Sequence, residues 1–266
     1  MRALVAFLSD FGLEDPYVGV VKAVLLGINP DLRIVDLCHQ IPAHDVIGGA
    51  FALGSSYQEF PPGTVFLTVV DPGVGSARAG LVAMTDRYAF VAPDNGLLGL
   101  VFRDSPETAC YRIENPRYFR FPVSRTFHAR DIFAPVAAQL SLGLAPGEVG
   151  PIHRNPAGLA YPEPFLDAGR LTGQVVHIDR FGNMVTNLDV LTIRRVFGKE
   201  RVTVRIKGMD LPVLEIYAQA AEGQPLALVG SSGFLEISVN RGDASRLLNA
   251  GKGERVSLRR EQEFRA

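Results

Sequence analysis

The chain has 266 residues, 47% of them hydrophobic, and its 27 basic and 28 acidic side chains leave a formal charge of −1. Such a composition can bury a sizeable core, which excludes a disordered chain, and near-neutrality with no Lys or Arg run longer than two residues excludes a basic nucleic-acid footprint. No stretch reaches the ~20 apolar residues that span a bilayer, and the apolar run of MRALVAFLSD ends at Asp10, too short for a secretory core, so a cytoplasmic location is expected.

In chain order, residues 3–8 (ALVAFL) form a short apolar run suited to a strand buried on both faces. Asp15-Pro16 offers an N-cap and a proline at the first helical position. The apolar segment YVGVVKAVLLGI then runs to Asn29-Pro30, which stops it. Residues 33–38 (RIVDLC) are the next strand and complete a strand–helix–strand unit, the usual source of parallel sheets. The pattern recurs. Asp45 caps a helix through DVIGGAFALGSSYQEF, Pro61-Pro62-Gly63 breaks it, and TVFLTVV (64–70) is a β-branched strand ending at Asp71. LVAMT, YAFVA, the segment 97–102 and TACYRI read as strands, and a helix runs from near Asp131 to Gly143, with Pro135 tolerated only in its first turn. Residues 1–150 are thus expected to form an α/β domain whose central, mostly parallel sheet is flanked by helices.

The stretch 151–169 (PIHRNPAGLAYPEPFLDAG) has four prolines and little periodicity, and reads as a linker or wrapping arm. Beyond it, LTGQVVHI, RVTVRI, LPVLEI, PLALVG, FLEISV and RVSLRR are short strand-like runs separated by turn residues. That spacing predicts an antiparallel, barrel-like β domain over 170–266. Cys38 and Cys110 both lie in apolar stretches with no second Cys at ligand spacing, so free thiols are expected and a thiolate metal site is not.

Ligands of open α/β sheets bind beyond the carboxyl ends of the strands. The sequence places Ser9-Asp10-Phe11-Gly12, Asp71-Pro72-Gly73-Val74-Gly75 and Pro93-Asp94-Asn95-Gly96 at such corners. Asp before Gly or Pro is also ordinary turn chemistry, so each acid carries both readings, with the turn reading ahead at Asp94. GVGSARAG lacks the P-loop and dinucleotide signatures. Of the five histidines, His128 in RTFHARD stands just before a helix, where loops on a rigid scaffold carry chemistry, and no pair has metal spacing. In the second half, Asp179 and Asn183 flank a glycine turn with Phe181, whose ring suits stacking on a planar group.

SDFG, VVDPGVGSAR, APDNG, TFHARDIFAPVAA, IDRFGNMVTN and SSGFLEISVN occur in this order. Together they resemble the S-adenosylmethionine hydroxide adenosyltransferases, hydrolytic relatives of the fluorinase and chlorinase enzymes. The resemblance implies hydrolysis of S-adenosylmethionine at C5′ to adenosine and methionine, with the molecule as substrate and no cofactor or metal. It also implies a homotrimer whose sites lie between the N-terminal domain of one subunit and the C-terminal domain of the next. The family's Asp-Arg-His set falls on Asp71, Arg78 and His128, where the halogenating relatives have a tyrosine in place of Asp71. Asp10 corresponds to the acid that takes both ribose hydroxyls. Asn183 falls on a position at the adenine or the nearby methionine portion, Phe181 and Tyr217 on positions against the adenine ring, Asp179 and Ser231 on the methionine end, and Glu236 and Val239 near the adenine edge. Three other activities are distinguishable by assay: a halogenase by halide dependence, a non-catalytic binder by absence of turnover, and a glycosidase by release of free adenine.

Overall fold

A computed structural model describes residues 3–261, so the outermost residues of the expected domains, 1–2 and 262–266, lie outside the described residues. The chain divides into two compact units between Ala160 and Tyr161.

In the first unit β1 (Leu4–Ser9) pairs in parallel with β2 (Arg33–Cys38) and β3 (Val65–Val69), and β3 pairs in parallel with β5 (Ala89–Pro93). β4 (Gly80–Met84) is antiparallel to both β5 and β6 (Ala109–Arg112), giving the order β2-β1-β3-β5-β4-β6. The sheet is therefore mixed, not mostly parallel as the sequence suggests. The reason is local: Thr85–Tyr88 is too short for a crossover, and Thr85 N donates to Tyr88 O across 2.9 Å to close a hairpin.

Alternate strand residues feed opposite faces. Val5, Phe7, Leu67 and Val91 pack with Val21 and Leu25 of α1 (Tyr17–Ile28) and Val136 of α4 (Ala134–Ser141). On the other face Phe66 stacks on Phe90 at 4.9 Å and Tyr57 meets both edge-on, just after α2 (Val46–Gly54). Asp45 caps α2 as expected, accepting from Gly48 N at 2.9 Å. Asp15 does not cap α1: Pro16 takes that position with no side-chain cap, its carbonyl accepting from Val20 N. Residues 97–102 are not a strand either. Leu97 and Leu98 are buried in a turn leading into α3 (Gly99–Asp104), the usual ambiguity of a short apolar run. Pro135 does sit in the first turn of α4, which follows a π-helical turn over Ala129–Phe133.

The proline-rich stretch is shared between the units. Ile152 bridges to Tyr111, and Asp94 accepts from Ala157 N at 2.7 Å within the first unit. The second unit opens with β7 (Phe165–Asp167), β8 (Arg170–Ile178), β9 (Met184–Asp189) and α5 (Val190–Phe197). β10 (Val202–Ile206), β11 (Met209–Pro212), β12 (Pro225–Val229), β13 (Phe234–Val239), α6 (Ala244–Leu247) and β14 (Arg255–Arg260) complete it. Its sheet is antiparallel throughout in the order β11-β10-β14-β8-β9-β13-β12, with β7 on β8. Leu214 N donates to Ala227 O across 2.8 Å, bringing the two ends together into a near-barrel around Val175, Leu235, Ile237 and Val256. LPVLEI is strand only to Pro212, beyond which a single helical turn begins at Tyr217.

Candidate active site

β1 and β3 lie side by side in register, Ser9 opposite Val69, so the chain leaves both strands at the same sheet edge. Asp10 and Asp71 follow directly. Together with Phe11, Tyr17, Phe127 and His128 they line a cavity of roughly 260 Å³. Phe127 meets Phe11 at 6.1 Å and Tyr17 at 5.3 Å, both edge-on, so one wall is aromatic.

The loops carrying Asp71, Arg78 and His128 are drawn together at Gly75. Its φ of +79° suits glycine, and a Cβ there would run into the Arg125 carbonyl of the His128 loop. Arg78 forks onto Asp71, Nε donating to Oδ1 at 2.8 Å and Nη2 to Oδ2. The second Nη2 hydrogen goes to His128 Nδ1 at 3.0 Å. The guanidinium also lies 5.1 Å over the Phe133 ring. Side-chain exposures of 5% for Asp71 and 11% for Arg78 mark a desolvated pair.

Burial lowers the His128 pKa, and the Arg78 charge adds to that against Asp71 and Asp131. The ring is therefore neutral near pH 7. Because a guanidinium only donates, Nδ1 is the acceptor and Nε2 carries the proton. Asp10 is oriented from outside this trio: His44, held at φ 68°, donates its backbone N–H to Asp10 Oδ2 at 2.9 Å. Nothing in the sequence marks His44 or Tyr17 for this place, whereas Phe127 adjoins His128 in the TFHARD motif. Asp94 has a different task. It accepts from Ala157 N and pairs with His153 Nε2 at 3.0 Å, so the three corner acids do not share one cleft.

The second unit has its own cluster. Asp179 Oδ1 accepts from Phe181 N at 2.8 Å and Asn183 N at 2.9 Å, while Oδ2 accepts from Asn183 Nδ2 at 2.9 Å. The turn presents the Phe181 ring, 74% exposed, to solvent. It rests on Asp243, the N-cap of α6, against which Gly182 packs too closely to admit a Cβ. Tyr217 donates its hydroxyl to Glu236 Oε1, which also accepts from Ser238 Oγ at 3.1 Å. Burial, then Glu236 and Asp179, push the Tyr217 pKa up to about 12. Ser231 is exposed at the corner before β13. Val239 packs in the core, its carbonyl accepting from Gly242 N. Among the described residues no group of three or more His, Cys, Asp and Glu is placed to hold a metal ion.

Two family models match, the SAM hydroxide adenosyltransferase N-terminal domain over residues 5–150 and the C-terminal domain over 173–257. An (R)-S-adenosyl-L-methionine hydrolase of Thermus thermophilus is 41% identical over 261 residues, 96% of this chain and 98% of its own. A fluorinase of Nocardia brasiliensis is more distant, 28% identical over 291 residues and 97% of each chain. A crystal structure of an uncharacterized conserved protein from Thermotoga maritima matches with a TM-score of 0.90 at 37% identity, covering 96% of this chain and 100% of that one. With both family domains matched in order and a relative alike over nearly its whole length, the chain belongs to the SAM hydroxide adenosyltransferase family.

Proposed function

We propose that the protein hydrolyses S-adenosyl-L-methionine at C5′, giving adenosine, methionine and a proton. The observation that carries this reading is the convergence of Asp71, Arg78 and His128 beside one cavity. The sulfonium departs as neutral methionine, so the enzyme's work is to place and activate one water. Arg78 commits its Nη2 hydrogens to Asp71 and His128, and thereby fixes both. In the proposed reaction the water donates to Asp71 and accepts from His128 Nε2–H, leaving a lone pair for C5′. The oxygen–C5′ bond forms as the C5′–sulfur pair returns to sulfur, and the surplus proton leaves through Asp71. Charge is dispersed as this happens, which a dry, aromatic-walled pocket favours.

Asp10 takes the ribose hydroxyls in this scheme, Phe181 and Tyr217 hold the adenine with Asn183, and Asp179 and Ser231 face the methionine end. Glu236 serves by fixing Tyr217. We assign the complete site to a homotrimer, the second unit of one copy meeting the first unit of the next, and the protein to the cytoplasm. Because four relatives are named (R)-S-adenosyl-L-methionine hydrolases, the R epimer at sulfur is the proposed substrate. The test is turnover of each epimer in 18O-water without halide. Label in the adenosine 5′-hydroxyl is expected; free adenine, a halide requirement or no turnover overturns the reading.

A further inference from the structure

The loop that carries Asp10 is clamped by a buried residue outside the reaction described above. His39, just beyond β2, has only 2% of its side chain exposed. Burial lowers its pKa despite the neighbouring Asp36, so the ring is neutral, with one donor nitrogen and one acceptor. The Asp36 carboxylate, ionised beside Lys22, can only accept; hence His39 Nε2–H donates to Asp36 Oδ1 at 3.1 Å. Nδ1 then accepts from the Ser9 hydroxyl at 2.8 Å. Ser9 Oγ in turn accepts from Phe11 N at 3.4 Å, and the His39 carbonyl accepts from Gly12 N at 2.8 Å. Lys22 of α1 closes the far end on Asp36 Oδ2 at 2.7 Å. The Phe7 ring stands edge-on to the imidazole at 4.6 Å.

Serine, histidine and aspartate in a hydrogen-bonded row suggest a nucleophile, but Ser9 has no exposed surface from which to attack a substrate. What the contacts do is bracket Asp10: the ring holds the residue before it, and the carbonyl holds Gly12 after it. We infer that His39 is a positioning residue for ribose recognition, fixing the Ser9–Gly12 backbone so that the Asp10 carboxylate meets the ribose hydroxyls. This rests on the proposed role of Asp10.

The experiment compares calorimetric affinities for adenosine and 2′,3′-dideoxyadenosine on the full-length protein. The native protein is expected to prefer adenosine by roughly 10- to 100-fold, the worth of charged hydrogen bonds. His39→Asn keeps an acceptor where Nδ1 meets Ser9 and should hold that preference within about threefold. His39→Gln keeps only the Asp36 contact and should lose most of the preference. Should His39→Gln not fold, as judged by circular dichroism, Asp36→Ala at the half-exposed end replaces it, with a partial loss expected. A folded His39→Gln or Asp36→Ala that retains full preference, or one that weakens both nucleosides equally, overturns the role of His39. No preference in the native protein instead overturns the role of Asp10 itself.

Discussion

Arg78 Nη2 stands 3.0 Å from His128 Nδ1, and the same nitrogen donates to Asp71. One planar cation thus sets the direction of a carboxylate and the tautomer of an imidazole at once. Lysine cannot do this, since its ammonium has no fixed fork. Arg78→Lys should therefore lower kcat by about 100-fold, the usual loss of a preorganised donor set. KM should change little. Adenosine release followed by chromatography measures both, and a rate within threefold of the native protein would remove Arg78 from the mechanism.

Acid should act on His128 in a defined direction. Its pKa is lowered from 6.5 by burial first and then by Arg78. Above pH 6.5 the ring is neutral in folded and unfolded chains alike. As pH falls below 6.5 the unfolded chain takes up a proton that the folded one resists, so stability falls and levels off only below the folded-state pKa. The neutral ring is also the form that can accept from Arg78, which puts the acid limb of kcat/KM below 6.5. His128→Asn, with an amide oxygen near Nδ1, should lack that limb at a reduced rate. A native limb centred at or above 6.5 contradicts the neutral-ring assignment.

Gly75 couples the Arg78 loop to the His128 loop through the Arg125 carbonyl. Gly75→Ala adds a Cβ at φ +79°, a strained backbone for alanine, and presses it on that oxygen. The expected stability loss is about 1–3 kcal/mol in urea unfolding. The rate should suffer more than stability alone explains, by at least about tenfold, because small misplacements of reacting groups are costly. Equal rates in folded Gly75→Ala and native protein would show that the loops find their geometry without this contact.

Much of this site is legible in the sequence, and what is not has physical causes. Asp10 and Asp71 can be found because buried apolar strands end abruptly in acid and glycine, and parallel neighbours bring such ends together. His128 is marked by its place before a helix. Arg78 has no such mark among 27 basic residues, and only the family pattern singles it out. Asp94 shares the corner signature yet anchors the 153–157 segment, because turn capping and ligand binding use the same residue types. The hairpin between β4 and β5 defeats the expectation of a mostly parallel sheet, since strand-like runs carry no direction. α5 is missed for another reason. Val190, Ile193 and Phe197 keep helical spacing and Asp189 caps the segment through Thr192 N, but eight residues are too short to stand out among the short strand-like runs on either side.

Phe181 is the most exposed aromatic of the candidate set, and the Asp179 turn holds its backbone without using the ring. Phe181→Ala should leave unfolding stability within about 0.5 kcal/mol, as for other surface changes. KM for S-adenosylmethionine should rise roughly tenfold or more, in line with ~1–3 kcal/mol for a base stacked on an aromatic ring. An unchanged KM with intact folding means the ring faces something other than the adenine.

Tyr217 separates stacking from scaffolding, because its ring and its hydroxyl have different partners. The hydroxyl donates to Glu236 Oε1, and Glu236 is itself only 7% exposed, where an acceptor that loses its donor is costly. Tyr217→Phe removes the donor and leaves the ring. Ser238 Oγ still reaches the same oxygen, so the expected loss is at the lower end, about 1 kcal/mol of unfolding stability. KM should rise only a fewfold if Glu236 merely steadies the ring. Tyr217→Leu, which removes ring and hydroxyl together, should raise KM well beyond that at a similar stability. If the two variants raise KM equally, the hydroxyl and its carboxylate matter to the substrate directly, and Glu236 belongs among the groups that touch it.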